Sequence, residues 1–371
     1  MDQRQWDAVV VGTGIIGLTV ARELARAGLR VTLLERAQPA REASRAAAGI
    51  VCPTYPWHEP APLGALVHWS RALYPVLCED LRRQTGVDPE WRVCGILMFD
   101  EAEREAGVAW ARGNALPYEL LDGAGLARAE PALAGTGRSA FFLPTVGQVN
   151  SSRLLRALNE SVMHEGVPVR QYTEVVGLLR DGERVIGVRA SDGEVRAHHV
   201  VLATGAWTAP LLEQCGLSLP IVPVAGQIIQ YDGPPGLLSR ILLEGGHYVL
   251  QRRNGQILVG STKEHTGYEI RVTEAAQTEL TAAGIKLLPM LASATPNRQW
   301  ANLRPGTPDE LPFIGADPRA PGLWLNAGHF RNGITLAPAA ARLLADLMLE
   351  RTPIMDPAPF RVSPERLAAR T

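Results

Sequence analysis

The chain has little of what stabilises or anchors a protein by means other than a core. Only four cysteines occur in 371 residues. They stand at Cys52, Cys78, Cys94 and Cys215, with no C-x-x-C pair and no histidine at metal-ligand spacing. No disulfide framework and no metal site are therefore expected, and a reducing compartment, the cytoplasm, is the expected setting. Neither sign of charge dominates: 37 Lys and Arg face 38 Asp and Glu, for a net charge of −1. That balance gives no reason to expect a nucleic acid or an anionic membrane as partner. Basic pairs such as Arg82-Arg83 and Arg252-Arg253 are short and read as solvated faces. Long apolar runs are missing too. The run that starts near Trp6 is punctuated by three glycines and closed by Arg22-Glu23, and no stretch reaches the roughly 20 apolar residues of a membrane span. Residues 1–5 lead straight into the first strand-like segment, so no signal peptide is expected.

What is present is an ordinary globular composition, 46% hydrophobic and 20% charged. The length suits two interleaved domains around one substrate cleft. Residues 8–11 read as a short buried strand, and 15–27 carry apolar side chains at helical spacing, including Ile16, Val20 and Leu24. Gly28 follows where a helix C-terminus favours a left-handed residue, and 31–34 form a second strand. Residues 63–86 read as a helix broken at Pro75, and 100–111 as a charged helix. Ser151 or Ser152 is the expected cap of a helix running to Glu165. Asp181-Gly182 and Asp192-Gly193 mark hairpins, and 199–203 read as a buried parallel-type strand. Further strands are expected at 227–231, 241–243, 248–251, 257–260 and 323–327, with helices at 273–288 and 336–349. The fold class is α/β. A Rossmann-type nucleotide-binding domain is assembled from residues 1–86, 147–220 and 302–371. A β-rich (α+β) substrate domain is interleaved with it as residues 87–146 and 221–301.

Gly12-Thr13-Gly14-Ile15-Ile16-Gly17 is a G-x-G-x-x-G directly after a strand and opening a helix. Gly12 permits the tight turn, Gly14 lets backbone approach a pyrophosphate, and Gly17 lets helix and strand pack closely. The helix N-terminus offers free N–H groups and the positive end of a dipole. Glu35, ending the second strand, accepts hydrogen bonds from a ribose diol, and its acidity disfavours a 2′-phosphate. Ala43-Ser44-Arg45-Ala46-Ala47-Ala48-Gly49-Ile50 is rich in small residues, which lets backbone amides line a flat ligand.

With Ala203-Thr204-Gly205-Ala206-Trp207, Asn302-Leu303-Arg304-Pro305-Gly306-Thr307 and Gly328-His329-Phe330-Arg331-Asn332-Gly333-Ile334, these segments resemble the D-amino acid oxidase superfamily. Within it the chain is similar to glycine oxidases and bacterial glycine and D-amino acid dehydrogenases. The motifs span residues 8–340. The resemblance implies non-covalent FAD, since the cysteine that anchors flavin in related sarcosine oxidases has no counterpart near Asn302. It implies FAD contacts at Gly12, Gly14, Ile15, Ile16 and Gly17, at Glu35 and Arg36 by the ribose, and at Ala43 and Ser44 by the pyrophosphate. Ala48, Gly49 and Ile50 would flank the isoalloxazine, and Val175 the adenine, with Thr204 and Gly205 also in contact. His329, Phe330, Arg331, Asn332, Gly333, Ile334 and Thr335 would wrap the pyrimidine edge.

For the substrate, the resemblance implies Arg304 as the carboxylate clamp, helped by the Tyr248 hydroxyl, with Arg331 close by. Tyr248 as a core-facing strand residue and Arg331 as a surface ion pair are the plainer readings. The expected function is oxidation of glycine or another small (D-)amino acid or N-methyl amine, by hydride transfer to the flavin, giving oxo acid, ammonia and hydrogen peroxide. The electron acceptor is oxygen or an electron-accepting partner. Pro53-Thr54-Tyr55-Pro56-Trp57 resembles the subgroup of cyanide-forming glycine dehydrogenases, in which a quinone or partner subunit would serve. A 2-hydroxy acid substrate would require a base, and of the candidates His58 and His247, His247 is expected to point away from Tyr248. Lys263 departs from the family pattern: it is either a solvated turn residue or a cation near the pocket. A homo-oligomer and a role in thiamine thiazole synthesis are implied by resemblance alone.

Overall fold

The computed structural model describes residues 5–39 and 41–368; the reading of the first residues as lacking a leader lies outside that range. Two large sheets dominate. In the first, Trp6–Val11 is flanked in parallel by Val31–Leu34 on one side and by the C-terminal half of Gly193–Leu202 on the other. Leu323–Ala327 continues the parallel set beside Gly193–Leu202. The N-terminal half of Gly193–Leu202 turns antiparallel against Arg184–Ala190, so one long strand serves both a parallel core and a hairpin meander. Side chains alternate as a strand requires. Ala8 and Val10 pack among the helices Ile15–Arg26, Ala61–Thr85, Ser151–His164 and Gly333–Met348. Val9 and Val11 face the opposite core with Val200, Leu202 and Leu212.

The second sheet runs in space from Arg298–Gly306 through Val222–Asp232, Gln256–Gly260, His247–Gln251 and Ile241–Glu244 to Ile96–Met98, Ala140–Leu143 and Glu119–Leu121. One face packs on the helix Glu274–Leu287 through Val249, Val259 and Leu280. The other carries Ile228, Leu243, Leu250 and Leu258 with Ala48 and Cys52 from the first domain's chain. Arg298–Gly306 pairs with Val222–Asp232 over nine residues. It was not anticipated as a strand, and it crosses the domain boundary expected between 301 and 302.

Three local expectations need correction. The helix Ala61–Thr85 is not broken at Pro75. Pro75 is exposed while Leu63, Leu66, Tyr74, Leu77 and Leu81 are buried on either side of it, so water can serve the carbonyl that loses its partner while packing keeps the helix continuous. The cap of Ser151–His164 is Asn150, which accepts from the Arg153 N–H. Ser151 lies inside the helix and donates instead to the Ala47 carbonyl at 2.7 Å. The last long helix begins at Gly333, not 336, because the turn Phe330–Asn332 feeds directly into it.

Asn150→Ala is expected to lower stability by about 1 kcal/mol, seen as an earlier urea midpoint, whereas Ser152→Ala on the exposed face should leave it unmoved. Equal effects of the two would reject Asn150 as the cap.

Candidate active site

The ends of the parallel strands and the face of the second sheet that carries Ile228 and Leu243 enclose a cavity of about 450 Å³, within the range that holds cofactors. At one end lies the glycine-rich turn. Gly12 has φ +100°, and a Cβ there would stand 2.7 Å from the Ala203 carbonyl; one at Gly17 would stand 1.9 Å from the Gly12 carbonyl. The turn therefore tolerates no side chain at either position. The helix that follows starts at Ile15 with no side-chain cap from Gly14, and Ser44 Oγ accepts from the Ile15 N–H at 3.0 Å. Glu35 is fixed by Thr13, whose N–H and hydroxyl donate to Oε2 at 3.0 and 2.6 Å, and by the Ala37 N–H on Oε1. The Arg36 guanidinium lies 4.0 Å from the centre of the Trp207 ring and pairs with Glu42.

The small-residue segment is held by its carbonyls. Trp300 donates to Ala46, Ser151 to Ala47, and Arg252 to Ala48 at 2.8 Å and to Val149 at 2.6 Å. Trp300, Ser151, Val149 and Arg252 all lie outside the cavity lining, whereas Ala46, Ala47, Ala48, Gly49 and Ile50 form part of it. In a trans peptide the N–H points opposite to the carbonyl, so these ties turn the Ala48 and Gly49 amides toward the cavity. Gly49, at φ +91°, has no room for a Cβ, which would stand 2.1 Å from the Val149 carbonyl. Burial pulls the Arg252 guanidinium down to about 10.

At the other end stands Arg304. Its Nη1 donates to the Ala225 and Thr262 carbonyls at 3.2 and 3.1 Å, and Nη2 to Ser261 Oγ at 2.8 Å. Nε–H and one Nη2–H have no partner among the described residues, and these form the side-on fork with which arginine grips a carboxylate. Burial lowers the Arg304 pKa, and Arg331 adds to that. Gly226 makes room for Arg304: a Cβ there would lie 2.1–2.3 Å from the guanidinium. Tyr248 OH would meet a Cβ on Gly260 at 2.5 Å. Its phenol is pushed up to about 12 by burial, opposed by Arg304. His247 leaves the site and bonds Glu279 at 2.9 Å.

The segment 329–334 closes this end. Arg331 lies 3.6 Å from Glu59, whose carboxyl burial holds above the usual range. Lys263 lines the cavity, with Nζ 5.5 Å from the centre of the Phe330 ring. The helix Gly333–Met348 opens on the cavity without a side-chain cap. His329 Nε2 and Asn326 Oδ1 are buried and unpartnered.

Most of the expected residues thus meet in one place, Val175, Thr204 and Gly205 included. Gly17 and Thr335 do not line the cavity: Gly17 serves packing, and Thr335 donates to the Ile50 carbonyl at 3.2 Å. The sequence reading missed Glu59, Gly226, Gly260 and Ser261. Nothing local marks them, since each owes its place to pairing between distant strands or loops. The donor set fits FAD. Two helix N-termini with no cap from their own N-cap residues suit anionic groups, Glu35 suits a ribose, the 46–50 segment suits a flat ring, and unpaired buried polar atoms await a ligand.

The family described as FAD dependent oxidoreductase matches residues 7–347. A glycine oxidase of Pseudomonas aeruginosa is 47% identical over 353 residues, 95% of this chain and 97% of that protein. The hydrogen cyanide synthase subunit HcnC of the same species is 33% identical and covers 98% of each chain. The crystal structure of glycine oxidase from Geobacillus kaustophilus superposes with a TM-score of 0.91 at 32% identity, over 97% of this chain and 99% of that one.

Burial depresses the His329 imidazole to about 3. The unfolded chain takes up this proton near its ordinary value, roughly 6.5, so the contribution is complete above that pH. It is lost as pH falls toward 3, by up to about 1.4 kcal/mol per pH unit. Urea unfolding from about pH 7 to about pH 5 should show a downward slope that His329→Gln reduces. Identical slopes in the two proteins would reject a neutral buried His329.

Proposed function

The chain belongs to the FAD dependent oxidoreductase family, and from that premise we propose that it oxidises glycine or another small amino acid at the carbon bearing nitrogen, with oxygen as acceptor. The observation that carries this reading is Arg304, whose hydrogen bonds all go to neutral oxygens and whose side-on fork is left over. The glycine oxidase relatives support the substrate class. When bound, FAD supplies the two-electron oxidant for the α-hydrogen.

The protein's own groups supply placement. Arg304 holds the carboxylate, and the Tyr248 hydroxyl, kept protonated by its raised pKa, donates to the same group. The Ala48 and Gly49 amides and the start of the Gly333–Met348 helix provide fixed donors where negative charge develops. No general base is required if the amine binds neutral, and none is assigned: the His329 ring is unprotonated but buried, and Glu59 is paired with Arg331. Orientation therefore contributes most of the rate. The imino acid released adds water and yields an oxo acid and ammonia. We keep the expected domain division but move its last boundary beyond Gly306, and we place the protein in the cytoplasm, consistent with four free cysteines. Among the described residues no helix is long and apolar enough to cross a membrane.

Anaerobic mixing of the holoenzyme with glycine, sarcosine, D-alanine, D-proline or L-alanine is expected to bleach the oxidised flavin with at least one of them, and air should restore the colour quickly. Bleaching without reoxidation by air would favour a separate electron acceptor, and no bleaching by any of them would reject the reading. Arg304→Ala should raise KM about 100-fold with flavin retained, and Gly226→Ala should shift KM in the same direction by crowding the guanidinium. Unchanged KM in Arg304→Ala would remove the clamp.

A further inference from the structure

The substrate end of the cavity holds more positive charge than one carboxylate uses. Arg304, Arg331 and Lys263 all line it. Arg304 touches only neutral acceptors. Arg331 has one acidic neighbour, Glu59, at 3.6 Å, longer than a charge-assisted hydrogen bond. Lys263 forms no ion pair among the described residues. Glu264, its chain neighbour, is turned away and accepts from Gln227 Nε2 and Thr262 Oγ1.

Two of these cations share a ring. The Lys263 ammonium and the Arg331 guanidinium each lie 5.5 Å from the centre of Phe330. Phe330 itself sits at φ +44°, a left-handed conformation that a bulky residue adopts only when its surroundings impose it. Both charges therefore sit beside one apolar ring that lines the cavity. Glu59 already stands on the Arg331 side, so Lys263 is the cation without an anion among the described residues, and it is exposed enough to reach one entering from solvent.

We propose that this end of the cavity is a receptor for amino acids carrying a second carboxylate: Arg304 takes the α-carboxylate, while Lys263, lining the same cavity as Arg331, takes the other. The inference rests on the function proposed above, but its test does not require turnover. Succinate and butyrate have the same carbon count and differ in one carboxylate. Each is titrated into oxidised holoenzyme, following the perturbation of the flavin spectrum. Succinate should bind more tightly than butyrate by about five-fold. Lys263→Met should abolish most of that advantage, Lys263→Arg should keep it, and Lys263→Glu should reverse it. Equal binding of the two acids by the wild type, or an advantage that survives in Lys263→Met, would overturn the proposal and leave Lys263 a solvated turn residue. Glycine bleaching, measured separately, reports on the amine-oxidase reading alone. An enzyme that bleaches with glycine but does not prefer succinate retains its function and loses the second site.

Discussion

A guanidinium taken partly out of water and bonded only to neutral oxygens is an unfinished ion pair. Arg304 carries that condition, and much of the second sheet follows from it. Its strand must lie beside Val222–Asp232, because Ala225 supplies one acceptor and Gly226 supplies the empty volume. The Gln256–Gly260 strand must end there too, because Ser261 and Thr262 supply the other acceptors. Neutral partners hold the side chain in place without cancelling its charge, so it remains available to an anion. A carboxylate partner would have satisfied it and closed the site.

The opposite wall is built by the same economy. The 46–50 segment is anchored through its carbonyls to residues behind it, one of them the buried Arg252. That leaves donors, and little side chain, facing the cavity. Two helices begin on the cavity with no cap from their own N-cap residues, and of the first helix's leading N–H groups Ser44 Oγ takes that of Ile15. Donors that have no internal partner at several points around one volume are costly unless something fills it, which is a physical reason to read the volume as a ligand site.

The nucleotide end was largely legible from local pattern. The glycine turn, the helix after it and Glu35 form a unit of consecutive residues in which each requirement falls on a nearby position. The substrate end was legible only through resemblance, because Arg304, Tyr248 and Arg331 come from separate chain segments and carry no local mark. Glu59, Gly226 and Ser261 escaped altogether. A glycine beneath a guanidinium looks like any strand glycine until the partner strand is known. Errors in helix limits had the same origin: Pro75 reads as a break when only the backbone is considered, yet the burial of Tyr74 and Leu77 keeps the helix whole.

The sequence by itself determined the βαβ unit, the dinucleotide fingerprint and most of the strands, because periodicity and turn chemistry act over a few residues. Tertiary structure decided which face of each strand meets the cavity, which oxygens hold Arg304, and that Lys263 and Arg331 both approach one phenyl ring. Those relations join residues separated by tens or hundreds of positions, and only sheet pairing and packing bring them within a few ångströms of one another.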